Sequence, residues 1–203
     1  MAFELPLAAA MSGASVNQLR RWNRDGLLVP EVQAARPMLY SFRDLVALRA
    51  VSYLRAETSL QKIKRAFSNL TEFDLTDHPS QYEFATDGKS IMVWTDDGYM
   101  DLVNRPGQVE FVTLADIFES FTNRAGREVV HFQRPRPHLR VDGGKLGGYP
   151  VIEHSRVPYD AVADLLAGGD VPVEEISEYY PRVTPAGALD AISFQQEVLE
   201  VGA

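Results

Sequence analysis

The sequence predicts a mainly helical α+β fold, and three observations carry that expectation. Near the N-terminus two helical patterns flank the small-residue turn Ser12-Gly13-Ala14, the layout of a helix-turn-helix, and Met38-Leu39-Tyr40 follows as the returning strand of a wing. In the centre, four short apolar runs are divided by turns at Gly88, Asp97-Gly98 and Asn104 to Gly107, the pattern of a small antiparallel sheet. The last third holds three helical patterns separated by Gly168-Gly169 and Tyr180-Pro181. The expected segments are therefore a winged helix-turn-helix over 1–72 and a β-meander with one helix over 80–124. A basic, proline-containing connector over 125–137 and a trihelical domain over 138–203 complete the chain.

Composition narrows the function classes. A hydrophobic content of 45% with 24% charged residues is that of a globular chain able to bury a core. No apolar run approaches ~18 residues, so no membrane span is expected. The N-terminus has no basic segment leading into an apolar core, so no secretory signal is expected. With zero cysteines there are no disulfides, thiolate metal sites or thiol nucleophiles, which fits a cytoplasmic location. The formal charge of -8 is unevenly spread: residues 1–70 carry ten bases and five acids, the remainder ten bases and 23 acids. A head of +5 on a body of -13 points to a phosphate-facing module joined to an acidic partner-binding or oligomerising one.

Each N-terminal element has a local cause. Pro6 is tolerated in the first turn of a helix containing Leu7, Ala8, Ala9 and Met11. Gly13 supplies positive φ in the turn, and Ser15 is the N-cap of the next helix. Val16, Leu19 and Trp22 recur every three residues as its buried stripe, which assigns Trp22 to the core rather than to base stacking. Asn17, Gln18, Arg20, Arg21 and Arg24 face outward. Amides and guanidiniums pair bidentately with adenine and guanine edges, so this helix suits a DNA major groove. Ser41 with Asp44 forms a capping box before a helix whose core face is Leu45, Leu48, Val51 and Leu54. Thr58 or Ser59 restarts a helix with Leu60, Ile63, Phe67 and Leu70 on one side.

Further along, Thr113 and Asp116 are expected to start a helix through Phe118 and Phe121. Asp96-Asp97 beside Gly98 is read as a solvated turn rather than a catalytic carboxylate pair. Arg124, Arg127, Arg134, Arg136 and Arg140 make a basic run broken by Pro135 and Pro137, either touching phosphates or packed along the acidic body. Val141 to Pro150 contains Gly143-Gly144-Lys145 but lacks the Ser or Thr a phosphate loop needs after its lysine, so it is a structural turn. Val151-Ile152 and Arg156-Val157 are expected to be two short strands around His154-Ser155, followed by helices near 158–167, 172–179 and 184–198. The last helix exposes Asp190 and Glu197 and carries no Lys or Arg.

The pattern Ala-Ala-Met-Ser-Gly-Ala-Ser-Val-Asn-Gln-Leu-Arg-Arg-Trp, then Asp-Gly-Leu-Leu and Leu-Tyr-Ser-Phe-Arg-Asp-Leu, resembles the MerR-type winged helix-turn-helix over residues 5–70. That resemblance implies DNA contacts by Ser15, Asn17, Gln18, Arg20 and Arg21 on the second helix and by Arg36 and Tyr40 on the wing. Charge and exposure add Arg24 and Arg43. A second stretch, Gly147-Gly148-Tyr149-Pro150-Val151-Ile152 through Ser155-Arg156-Val157-Pro158-Tyr159 to Tyr180-Pro181, is similar to a small domain of VapB-type antitoxins encoded beside PIN-domain nucleases. It implies a trihelical, homeodomain-like unit behind a hairpin. Since phosphate contacts need cations and the region around these helices offers only Arg156 and Arg182, the acidic end is read as a dimerisation or protein-binding module.

Together these readings imply a homodimeric antitoxin that binds operator DNA, represses its own operon and neutralises a PIN-type ribonuclease. The alternative is a stand-alone transcription regulator with a C-terminal dimerisation or sensing domain. The four histidines (His78, His131, His138 and His154) show no ligand spacing, and no nucleophile elbow occurs. No enzymatic activity, catalytic residue, cofactor or metal is expected.

Overall fold

Residues 2–73, 75–82, 84–86, 90–95, 98–104, 109–110 and 117–203 are described by a computed structural model. Helix α1 (Leu5–Ser12) has Pro6 in its first turn and ends on Gly13, whose φ of 82° lets its N–H return to the Ala9 carbonyl at 3.1 Å. Helix α2 (Val16–Arg24) starts at the Ser15 cap and buries Leu19 and Trp22. Helix α3 (Phe42–Glu57) opens on the Ser41–Asp44 capping box and buries Leu45, Leu48, Val51 and Leu54, as their spacing requires. The α4 helix (Leu60–Glu72) is capped by Ser59 and buries Ile63, Ala66 and Leu70.

One pairing was not visible in the sequence. Strand β1 (Phe3–Glu4) pairs antiparallel with β2 (Leu39–Tyr40), Phe3 opposite Tyr40, so the wing's returning strand is held by the start of the chain. The wing itself closes through a single bridge between Gln33 and Leu39.

The central sheet is the expected meander: β3 (Phe84–Thr86), β4 (Ile91–Thr95), β5 (Gly98–Asp101) and β6 (Val109–Glu110) in sequential order. The turn at Asp96-Asp97, and Thr113 with Asp116, lie outside the described residues. The helix expected through Phe118 and Phe121 is not found over 117–122. Phe121 begins β7 (Phe121–Thr122), which pairs with β8 (Glu128–Val129) around an Asn123–Gly126 turn. The connector is thus partly a hairpin. Gly126, with φ of 80°, is the residue that permits the turn, and short-range sequence did not weigh it.

Strands β9 (Leu139–Arg140) and β10 (Val151–Ile152) form the next hairpin. Val151 was expected to pair locally with 156–157; instead β10 lies against β9, and only the Val151–Pro158 bridge and an Ile152 N–H bond to Val157 remain of the local pairing. Helix α5 (Tyr159–Ala167), a short 3-10 turn leading into α6 (Ile176–Tyr179), and α7 (Pro185–Gly202) make up the trihelical end.

Both ends of the chain contribute to one hydrophobic cluster. Helix α7 packs on α5 and on α1, and Phe3 lies 5.6 Å from Tyr149 between ring centroids. Gly148, at φ of 82°, approaches the Phe42 ring so closely that a Cβ there would sit 2.1 Å from Cδ2. The glycine turn over 141–150 is therefore a packing device, as its failed phosphate-loop spacing suggested.

The interior also holds Arg49, at 0% exposure on α3. Its Nη1 donates to the Met11 carbonyl at 2.7 Å, and Nη2 donates to Glu119 and Val130 carbonyls, both at 2.7 Å. Nε donates to the Ile117 carbonyl. The guanidinium lies 5.2 Å from the Phe121 ring and 5.4 Å from that of Phe132, so both faces of the site are apolar or aromatic while its edge is saturated by carbonyls. One side chain thereby ties the helix-turn-helix to the 117–132 segment.

Candidate DNA-binding surface

Helix α2 stands out because its buried and exposed faces are sharply separated. Leu19 and Trp22 are each 1% exposed, while Asn17, Gln18, Arg20, Arg21 and Arg24 are exposed. At 100° per residue, Asn17, Arg21 and Arg24 form a single ridge, with Arg20 on one edge and Gln18 on the other. Ser15 and Gln18 form a reciprocal cap: the Gln18 N–H reaches Ser15 Oγ at 3.2 Å, and Gln18 Oε1 accepts the Ser15 N–H at 2.7 Å. That cap commits the carbonyl end of Gln18 and leaves its amide N–H groups for a ligand.

The ridge's cations outnumber their acids. Arg21 (3.5 Å), Arg24 (3.8 Å) and Lys64 (3.0 Å) all converge on Asp25. The Lys64 hydrogen bond foremost, and the two arginine charges with it, hold the Asp25 carboxyl below its ordinary range. One carboxylate shared among three cations leaves the end of the helix positive.

The wing is fastened at both sides. Gln33 and Leu39 exchange two backbone bonds of 3.0 and 2.9 Å, Gln33 Nε2 donates to the Pro37 carbonyl, and Asn23 Nδ2 donates from α2 to the Ala34 carbonyl at 3.0 Å. Arg36 is exposed on the wing. At its base, Arg43 pairs with Glu31 at 2.6 Å and the Ser41 hydroxyl donates to the same carboxylate at 2.7 Å. Burial pushes Glu31 up, but Ser41, His78 and Arg43 together hold it below its ordinary value.

Tyr40 does not lie where a phosphate contact needs it. It is 1% exposed, because the β2 residue opposite Phe3 points inward, and its hydroxyl has no partner among the described residues. Burial drives the phenol pKa well above the ordinary range. Tyr40 is a core residue of the wing's attachment, not part of its surface.

A cluster missed by sequence is Glu31, Asp44 and His78, whose ligand-type atoms lie within 4.8 Å of one another. His78 Nε2 reaches Asp44 Oδ1 at 3.3 Å, across 34 residues of sequence, so spacing could not show it. Asp44 Oδ2 already accepts the Glu31 and Ser41 N–H groups, and the Arg43 cation sits on Glu31. Those donors and that positive charge make the trio a hydrogen-bonded staple of the wing to α3 rather than a cation cage.

The acidic helices are also placed differently from expectation. Asp190 and Glu197 are not free surface charges: Asp190 accepts from the His138 backbone at 2.8 Å, and Glu197 pairs with Arg136 at 2.8 Å and Arg127 at 3.7 Å. Arg140 pairs with Glu153. The basic connector packs along the acidic body, and the two neutralise each other. Solvent-facing acids there are instead Asp164, Asp170, Glu174, Glu175, Glu178 and Glu200.

A helix-turn-helix with a wing and an outward amide–guanidinium ridge defines a DNA-binding class of domain. Comparison agrees: residues 6–70 match the model of the MerR HTH family regulatory protein, and residues 140–194 match that of a protein of unknown function, DUF433. The chain thus carries a MerR-family helix-turn-helix domain at its N-terminus and a DUF433 domain at its C-terminus. A search of curated proteins gave no match. The crystal structure of Rv2018 from Mycobacterium tuberculosis is similar in fold, with a TM-score of 0.56 and 14% identity, covering 94% of this chain and 96% of that one. No helix among the described residues is long and apolar enough to cross a membrane.

Proposed function

We propose that the protein is a sequence-specific DNA-binding transcription regulator that inserts α2 into the major groove of an operator. The observation that carries this reading is the Asn17–Arg21–Arg24 ridge, exposed on a helix whose opposite face is core. In it Asn17, Arg20 and Arg21 read bases, the Gln18 amide and Ser15 border the groove, and Arg24, Arg36 and Arg43 hold phosphates. Binding of the duplex upstream of the gene, followed by anisotropy for wild type and Arg21→Ala, tests it. Equal binding of that duplex and random DNA by both proteins sinks the reading.

The finer reading is an antitoxin that represses its own operon as a homodimer and masks a PIN-type ribonuclease. It is supported by the resemblance over 138–198 and by the six exposed acids on and between the C-terminal helices, which suit a cationic RNA groove. Co-purification with the product of the neighbouring reading frame, and loss of that product's nuclease activity on mixing, are the expected results.

A second reading has one observation in its favour. A cleft of about 930 Å³ runs between the start of α2, the β7–β8 hairpin and the end of α7, lined by Gln18, Arg127, Arg136, Glu197 and Glu200 among others. A ligand there would touch α2 and the C-terminal helix together, as a sensing regulator requires. An effector that changes operator affinity in a pure system with no nuclease favours this over the antitoxin.

A further inference from the structure

The two edges of α2 are flanked by different parts of the chain. On the Arg20 and Asn23 edge stands the wing, tied by the Asn23 bond to Ala34. On the Gln18 and Trp22 edge stands the β7–β8 hairpin, more than a hundred residues away in sequence. Its Asn123 Nδ2 donates to the Gly13 carbonyl at 2.8 Å, and Val129 comes so near Gly13 that a Cβ there would lie 2.6 Å from it. The hairpin is therefore fixed to the turn between α1 and α2, with Arg124 exposed at its tip.

Between this tip, α2 and α3 lies a small cleft of about 30 Å³, lined by Gln18, Ser52, Arg55, Asn123 and Arg124 among others. Three of its groups lack what they need. Ser52 is 4% exposed and its Oγ has no hydrogen-bond partner among the described residues. Arg55 donates from Nη1 to the Thr58 carbonyl at 3.1 Å, and neither it nor Arg124 pairs with an acid among the described residues. Both arginines line the same cleft, and burial, with the Arg124 charge after it, lowers the Arg55 pKa. Two guanidiniums lining one cleft beside an unsatisfied buried hydroxyl suit an oxyanion.

We propose that Ser52, Arg55 and Arg124 form a phosphate notch that grips the DNA backbone on the side of α2 opposite the wing. The inference rests on α2 entering the major groove. A helix in a groove ~12 Å wide has a phosphate strand on each side, and the wing's cations serve only one of them. The cleft is too small for an organic effector but admits a phosphate oxygen between the two arginines. Operator binding would then draw on a residue from outside the helix-turn-helix, making the hairpin a second wing.

The test uses the full chain and two labelled duplexes, one from the region upstream of its gene and one of random sequence. For Arg124→Gln, the slope of log affinity against log salt is expected to fall by about one unit. Affinity should drop by a similar factor on both duplexes, leaving their ratio unchanged. Ser52→Ala should weaken binding two- to threefold while its thermal midpoint holds or rises, because it removes an unpartnered buried hydroxyl. An unchanged slope in Arg124→Gln, with wild type still bound, overturns the notch and spares the DNA reading. Failure of wild type to bind either duplex overturns both. Saturable binding of inorganic phosphate that Arg124→Gln abolishes, with the DNA slope unchanged, assigns the notch to a free anion and overturns the DNA occupant.

Discussion

Arginines are dense both on the N-terminal reading head and on the segment from 124 to 140, and the fold uses the two sets in opposite ways. In the head, Arg21 and Arg24 of α2 share the single carboxylate of Asp25 with Lys64 of α4, while Arg20 and the wing's Arg36 face solvent. In the later set, Arg136 and Arg127 close on Glu197 and Arg140 closes on Glu153. Local charge totals rank these regions alike, whereas the ratio of cations to reachable acids separates them. The first keeps a surplus for phosphate, whereas in the second only Arg124, at the hairpin tip, and Arg134 face solvent without an acid partner among the described residues.

The largest expected effect breaks the physical link between the two regions. Arg49→Met removes the guanidinium that crosses from α3 to the 117–132 carbonyls and leaves several of them buried without donors. Chemical denaturation should show a loss of about 3–5 kcal/mol, since each buried carbonyl left without a donor costs about 1–3 kcal/mol. A loss under about 1 kcal/mol means that the hydrophobic cluster alone joins the halves.

Next in size is Gly148→Ala. The position combines positive φ with a 2.1 Å approach to Phe42, so the new methyl must displace the ring or the turn. A cost of about 2–3 kcal/mol is expected, measured by the thermal midpoint and by the near-ultraviolet signal of the displaced aromatics. Gly143→Ala, which meets the same ring at 3.2 Å without positive φ, should cost less and serves as its control.

The helix-turn-helix was legible because its determinants are local. The Ser15 N-cap, the Ser41–Asp44 capping box, the glycine turn at 13 and the three-residue spacing of Leu19 and Trp22 all act within a few residues. What escaped depends on distant chain. Tyr40 faces inward because Phe3 pairs opposite it, His78 reaches back past α4 to Asp44 on α3, and Asp190 and Glu197 find partners more than fifty residues upstream. The helix expected through Phe121 gave way to a hairpin that packs on Gly13, a contact no window of sequence contains. The exposure of the α2 ridge follows from its local period, whereas Gln18 spends half its amide on the Ser15 cap.

Arg21→Ala tests the reading head directly. If Arg21 contacts a base edge, operator affinity should fall by about 1–3 kcal/mol and selectivity over random DNA should fall with it. A uniform loss on both duplexes, with the salt slope reduced by about one, moves Arg21 to the phosphate-holding group. Folding stability should hold within about 0.5 kcal/mol, since its 3.5 Å contact with Asp25 is exposed and solvent-screened.

The last and most modest change is Glu197→Gln, and it sharpens the contrast most. Both partners of the Arg136 pair are only 19% exposed, so losing the charge should cost about 1 kcal/mol, read from denaturant midpoints. The change also releases Arg136 and Arg127 from their shared carboxylate beside the 930 Å³ cleft that borders Gln18. If pairing is what keeps the later arginines out of DNA binding, affinity for random duplex should rise and the salt slope should steepen by about one unit. Operator selectivity should then fall, because the added contacts carry no sequence information. Unchanged binding would mean that position on the molecule, rather than neutralisation by Glu197, separates the two sets of arginines.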